Sequence, residues 1–253
     1  MKKKMMAMIA VAMFVCSNLF AEIKIGTEIS SIKYEEPGLM NEKGVMYGVM
    51  GSFETDTKVF LRADGRAAWG KVDYHNFYIP SSFEPEGNIS GIDDFIGEAR
   101  GLLGSSFASW LKLYTGIGYR YLSDDMEGLA TENGSLGYLR ESNYVYLPIG
   151  ARLKKDFKNG WAIELNPEID SLLWGKQISH LDAIPGFQKI ENRQRKGYGV
   201  RMAVNVIREA GPARISVGPF VRYWRIKQSS ADNGFVEPEN ESTEFGVSAS
   251  VLF

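Results

Sequence analysis

Apolar and polar side chains alternate along this chain with period two, over segments too long for an ordinary soluble sheet. Ile23, Ile25, Thr27 and Ile29 alternate with Glu22, Lys24, Gly26 and Glu28. Leu111, Leu113, Thr115, Ile117, Tyr119 and Tyr121 alternate with Lys112, Tyr114, Gly116, Gly118 and Arg120. Successive side chains of a strand point to opposite faces, so this period predicts strands with one apolar and one polar face. The pattern recurs in ten segments, near 22–29, 45–53, 58–64, 98–103, 111–121, 144–153, 161–170, 198–206, 214–223 and 245–253. Seven of the ten span 9–11 residues, whereas strands in soluble sheets peak near about 5–6. A strand tilted across a bilayer needs about 9–11.

The links between these segments alternate in length. Short links fall at Thr55-Asp56, Phe107-Ala108-Ser109, 156–160 and Ala210-Gly211-Pro212. Long ones fall at 35–42, 72–93, 123–136, 175–195 and 229–241. Membrane barrels segregate short turns to one side and long loops to the other. A soluble meander has no reason to do so. No run of roughly 20 apolar residues offers a spanning helix. With 44% hydrophobic and 12% aromatic residues the chain is too apolar for disorder, and one cysteine excludes a disulfide scaffold.

The N-terminus has the layout of a cleaved secretory signal. Lys2, Lys3 and Lys4 precede an apolar stretch from Met5 to Val15, and Ala21 supplies a small residue at the expected cut. The division is therefore a signal peptide over 1–21 and a single barrel domain over 22–253. Val15 directly before Cys16 argues against lipidation at that cysteine. Losing the three lysines leaves the exported chain three charges more acidic than the −2 of the whole.

These features predict an all-β, closed, antiparallel up-and-down transmembrane β-barrel, most simply of ten strands, with eight to twelve also compatible. Closure follows because an open sheet edge in hydrocarbon leaves backbone groups unsatisfied. Parity then sends Arg62, Asp64, Arg66, Glu98, Arg100, Lys112, Arg120, Arg152, Glu164, Glu168, Asp170, Arg201 and Arg222 inward. In a barrel of this size side chains fill much of the interior, so a paired network in a narrow or filled lumen is expected. Tyr47, Trp69, Tyr119, Tyr121, Trp161, Tyr198, Tyr223 and Phe253 fall near strand ends on the apolar face, where interfacial girdles sit. Pro148, Pro167 and Pro219 lie inside strands and are expected at bulges or bends.

Tyr114-Thr115-Gly116-Ile117-Gly118-Tyr119-Arg120-Tyr121-Leu122, Tyr144-Val145-Tyr146-Leu147-Pro148-Ile149-Gly150, Gly218-Pro219-Phe220-Val221-Arg222-Tyr223-Trp224 and the closing strand carry a family likeness. The mature chain resembles the small, porin-like outer-membrane β-barrel proteins of Gram-negative bacteria. The resemblance implies outer-membrane location and contact with lipid, lipopolysaccharide and the barrel-assembly machinery. It also implies an assembly signal in Phe245, Val247, Val251 and Phe253. The expected role is structural or surface interaction, without enzymatic activity; a small passive channel is the alternative. Ten-stranded barrels also include omptin proteases, which makes such a protease the less favoured third reading. For that chemistry His180 and Asp182, with Asp93-Asp94 and Asp124-Asp125, are the residues to weigh, although here His precedes Asp. Acidic loop residues, among them Asp93, Asp94, Asp124, Asp125, Glu127, Glu132, Glu237, Glu239 and Glu241, suggest a cation-attracting mouth. No EF-hand spacing, Cys/His cluster, phosphate loop or basic nucleic-acid patch is present, so no metal, cofactor or nucleic acid is expected.

Overall fold

The computed structural model describes residues 21–77, 86–232 and 234–253, and they form one continuous antiparallel sheet. The expected leader, apart from Ala21, lies outside the described residues. The strands are β1 (Ala21–Glu36), β2 (Met40–Thr55), β3 (Val59–Asn76), β4 (Gly87–Ala108), β5 (Leu111–Asp125), β6 (Leu139–Asp156), β7 (Trp161–Ser179), β8 (Ile190–Gln194), β9 (Gly197–Ala210), β10 (Ala213–Ile226) and β11 (Asn240–Leu252). Apart from β8 and β9, each pairs with its chain neighbour, and β11 returns to pair with β1, closing the cylinder. β8 and β9 are two pieces of one stave. β7 pairs with β9 over Trp161–Ser171 and with β8 over Gly175–Ser179. The barrel thus has ten staves, the eighth broken at Arg195-Lys196. Among the described residues no helix is long and apolar enough to cross a membrane.

The apolar face looks outward. Ile25, Ile149, Ile169 and Phe245 each leave 60–62% of their surface exposed, and Tyr47, Trp69, Trp161 and Tyr198 are exposed near the rims. Water-soluble monomers rarely present so continuous an apolar belt. It suits hydrocarbon, where the closed ladder leaves no strand edge.

Two expectations about the connections need correction. The link at 35–42 is not a long loop. β1 and β2 meet in the tight turn Glu36-Pro37-Gly38-Leu39, closed by the Leu39 N–H on the Glu36 carbonyl at 2.9 Å. Pro37 presets the first turn position, and Gly38 takes the left-handed φ of 79° that the second requires. Nor do the prolines sit at bulges. The β5–β6, β6–β7 and β9–β10 ladders each skip two residue pairs beside Pro148, Pro167 and Pro219, with unchanged register on either side. Each proline keeps its pairing on the other flank, with Asp170, Met202 and Val247. A strand residue donates to one neighbour only, so a missing N–H interrupts one ladder and spares the other. The bulges lie elsewhere. In β7, Val145 faces Trp174 while Tyr146 faces Leu172, so Leu173 is the extra residue and both Leu173 and Trp174 point outward.

Inside, the barrel is layered. Toward the loop end Ile32, Met46, Ala68, Val72, Ile92, Ile96 and Met126 form one buried cluster, and Tyr144, Tyr146, Leu172, Trp224 and Ile226 a second. Gly118 lets Tyr146 lie flat against the wall: a Cβ there would stand 2.2 Å from the tyrosine Cζ. The ring then packs edge-on against Trp224, at 5.0 Å between centroids. Gly118→Leu is expected to displace Tyr146 and lower folding stability by about 1–3 kcal/mol. Urea unfolding in detergent, followed as loss of the compact band on an unboiled gel, reads this. An unchanged midpoint would place the ring elsewhere.

Candidate functional site

The charged face of the strands fills the middle of the lumen with ion pairs that cross it. Arg201 on β9 reaches Glu98 on β4, with Nη1 at 2.9 Å from Oε2, and donates through Nε to Asp170 at 2.6 Å. Arg100 on β4 joins Asp64 on β3 to Glu168 on β7, at 2.6 Å each. Arg62 meets Asp64 at 2.6 Å. Arg66 and Arg222 both bridge Glu28 on β1 and Glu244 on β11. Arg120 approaches Glu244 at 3.9 Å from the far wall. Tyr146 donates to Glu98 at 2.5 Å. The Arg201 guanidinium lies 5.3 Å from the centre of the Tyr146 ring and 5.7 Å from that of Trp224, welding the ionic layer to the aromatic cluster above.

A separate group lies nearer the short turns. Arg152 on β6 and Lys112 on β5 converge on Glu54 of β2, at 2.7 and 2.6 Å, and Arg152 lies 3.7 Å from Glu164. The lumen is hollow beside it. A cavity of about 170 Å³ is lined by Lys24, Arg62, Asp64, Arg100 and Glu164 among others. A wider one of about 520 Å³, between Glu22, Glu54, Trp110, Lys112 and Arg214, opens the turn end.

All thirteen residues assigned inward by parity make an ion pair, but in these separate groups. Lys112, Arg152 and Glu164 do not join the central set. The inward set read from the sequence left out three carboxylates on which the pairing turns. Glu28 already stood on the polar face of the first alternating segment, and carrying the parity of β2 and β11 two residues further would have added Glu54 and Glu244. Phe245, Val247 and Val251 face outward or lie half exposed, and Phe253 exchanges backbone hydrogen bonds with Ile23.

At the loop end a third group surrounds Arg140. Its guanidinium meets Glu36 at 3.2 Å and Asp124 at 3.7 Å and lies 5.2 Å from the centre of the Tyr34 ring. Glu42, Asp94 and Glu237 are close by, so carboxyls outnumber guanidinium. These residues stand above the girdle formed by Tyr47, Trp69 and Phe95, outside the apolar belt. Burial, and next to it the Asp124 carboxylate, hold Glu42 well above the usual range. Burial and Asp124 push Asp94 up to about 7. Burial and the neighbouring Glu36 push Glu237 up to about 8. Buried carboxyls here hold protons more tightly, where those below meet arginines. Among the described residues no three His, Cys, Asp or Glu side chains are placed to hold a metal ion.

The remaining loop acids do not share one mouth. Asp93 pairs with Lys71, and Glu239 pairs with Arg225 and Lys227, in exposed positions on the outer wall. The histidines lie on that wall too. His180 Nε2 meets Glu141 rather than Asp182, at 2.7 Å, and Tyr121 donates to the same carboxylate at 2.5 Å. His75 Nδ1 contacts Asn88 Oδ1 at 2.8 Å. Neither histidine faces the inward Asp94 and Asp124.

The acid group has a pH consequence. Glu237 binds its proton more tightly folded than unfolded, so its contribution is full below about pH 4.5, fades as pH rises and is lost through about pH 8. Raising the pH across that window is expected to speed hydrogen exchange in the 227–239 connection beyond the intrinsic base-catalysed increase. Glu237→Gln, neutral throughout, should reduce that excess. An equal excess in both proteins would contradict the assignment.

No family model and no curated protein sequence matches the chain. Solved structures do. The outer membrane protease OmpT from Escherichia coli aligns with a TM-score of 0.59 at 11% identity, over 92% of this chain and 96% of its own. The translocator domain of the autotransporter NalP from Neisseria meningitidis gives 0.42 at 11% identity, over 98% and 94%. Neisserial surface protein A gives 0.37 at 12%, over 91% and 95%. At such identities the likeness to OmpT is one of fold, and the looser two carry no argument. The chain has the closed antiparallel barrel fold found in outer-membrane β-barrel proteins.

Proposed function

We propose that this chain is an integral outer-membrane barrel of a Gram-negative bacterium, exported by its N-terminal leader, with a lumen that does not conduct. It acts through its outer wall and loops, as a structural or surface-interaction protein. The exposed apolar belt supports the membrane location. The long loops would face outward and the short turns and both termini the periplasm. Contacts with lipid and lipopolysaccharide, and passage through the barrel-assembly machinery by way of the strand ending at Phe253, belong to the same reading.

The observation that carries the closed lumen is the transverse pairing. Arg201–Glu98, Arg100–Glu168 and Arg152–Glu54 join strands that are not neighbours across the lumen, and fully buried Met46, Ile92, Ile96 and Tyr146 pack above them. A passive channel is the second reading, favoured by the cavity of about 520 Å³ at the turn end and the one of about 170 Å³ beside it, which share Glu22, Arg152 and Glu164 in their linings. A protease reading draws on the fold of OmpT alone, and the inward Asp94 and Asp124 face away from the two outward histidines.

Planar-bilayer recording of the purified mature protein tests the proposal. The expected result is insertion without discrete conductance steps. Reproducible steps of uniform size would overturn the closed lumen and favour the channel.

A further inference from the structure

The outer wall carries an excess of positive charge at one place, where the eighth stave breaks. Lys176 on β7 stands directly opposite Arg193 on β8, and both side chains point outward. Like charges paired across a ladder are destabilising unless something neutralises them. One carboxylate, Glu191, serves three cations here: Lys176 at 2.8 Å, Lys189 at 3.9 Å and, less closely, Arg193. Arg193, and the exposed Arg195 and Lys196 at the break, make no ion pair among the described residues. Immediately beneath, Leu173, Trp174 and Tyr198 are exposed on the apolar belt. The cations therefore stand at the height where an aromatic girdle gives way to headgroups.

We infer that Lys176, Arg193, Arg195 and Lys196 clamp the phosphate-bearing headgroup of an outer-leaflet lipid against the outside of the barrel. This rests on the outer-membrane reading and extends it to a particular site. Arg193 and Arg195 present planar guanidinium forks that match phosphate oxygens, while the lysines add point charges. A doubly phosphorylated glycolipid fits best, because its two phosphates could meet the Lys176–Arg193 pair and the Arg195–Lys196 break together. Its acyl chains would run down over Trp174 and Leu173. The bound anion would relieve the repulsion that the strand pairing imposes.

The test uses the full mature chain in detergent micelles and native mass spectrometry with diphosphoryl lipid A as the probe. Arg193→Gln combined with Lys196→Gln should weaken retention about tenfold. Removing the phosphates from lipid A should have a similar effect on the unsubstituted protein. Lys196→Arg should retain full binding, and Lys43→Gln, an outward charge elsewhere on the wall, should change it less than about twofold. Equal retention by the double variant, or of dephosphorylated lipid A, would overturn the clamp. Inorganic pyrophosphate binding as tightly as the lipid would overturn the lipid assignment. Compact-band gels check that each variant is folded. Recovery of the unsubstituted protein in water without detergent would instead sink the underlying membrane reading.

Discussion

A charge in a narrow, water-poor lumen must find a partner, and the rest of the barrel is arranged around that requirement. Isolated, each buried guanidinium would cost several kcal/mol to desolvate, more than most single contacts return. Here each central arginine lies within reach of carboxylates, several of them from a distant strand. The hydrogen-bond ladder ties only neighbouring strands. The ionic layer ties β4 to β7 and β9, and β3 and β5 to β11. A cylinder held by its ladder could ovalise, and cross-bracing opposes that.

The same logic explains the layering. Low in the barrel water can enter, and the charged groups leave cavities between them. In the middle the charges are densely paired. Above them a dry aromatic and aliphatic plug takes over, and Arg201, against Tyr146 and Trp224, joins the two. At the loop end carboxyls exceed cations, and burial raises the proton affinity of Asp94 and Glu237 instead. One structural problem, packing of a polar interior, is thus met by arginine pairing at one height and by raised proton affinity at another.

Period-two parity made the strands, their faces and closure legible from residues alone, because one face must meet hydrocarbon and the other must not. Partners were not legible. Parity places Arg201 and Glu98 on inward faces, yet their meeting depends on stagger and on which strands stand opposite. The tight turn at Pro37-Gly38 was readable and was outweighed by the expectation of alternating link lengths. The prolines were misjudged because a strand has two flanks and a missing donor affects one. The break at Arg195-Lys196 left only a run of charge in the sequence. His180 was weighed beside Asp182 for their proximity in the chain, whereas the fold sets it against Glu141 across the sheet.

The central claim is that opposite walls are coupled through buried charge. A double-mutant cycle on Glu98→Gln and Arg201→Gln, read by reversible unfolding in detergent, addresses it directly. Each single change should cost about 3–5 kcal/mol, because it removes one charge of a buried pair and leaves the other its remaining partners, among them Asp170 for Arg201 and Tyr146 for Glu98. Together they should cost less than their sum by about 2 kcal/mol or more. Additive losses would mean that the two side chains do not meet, and the braced lumen would fall with them.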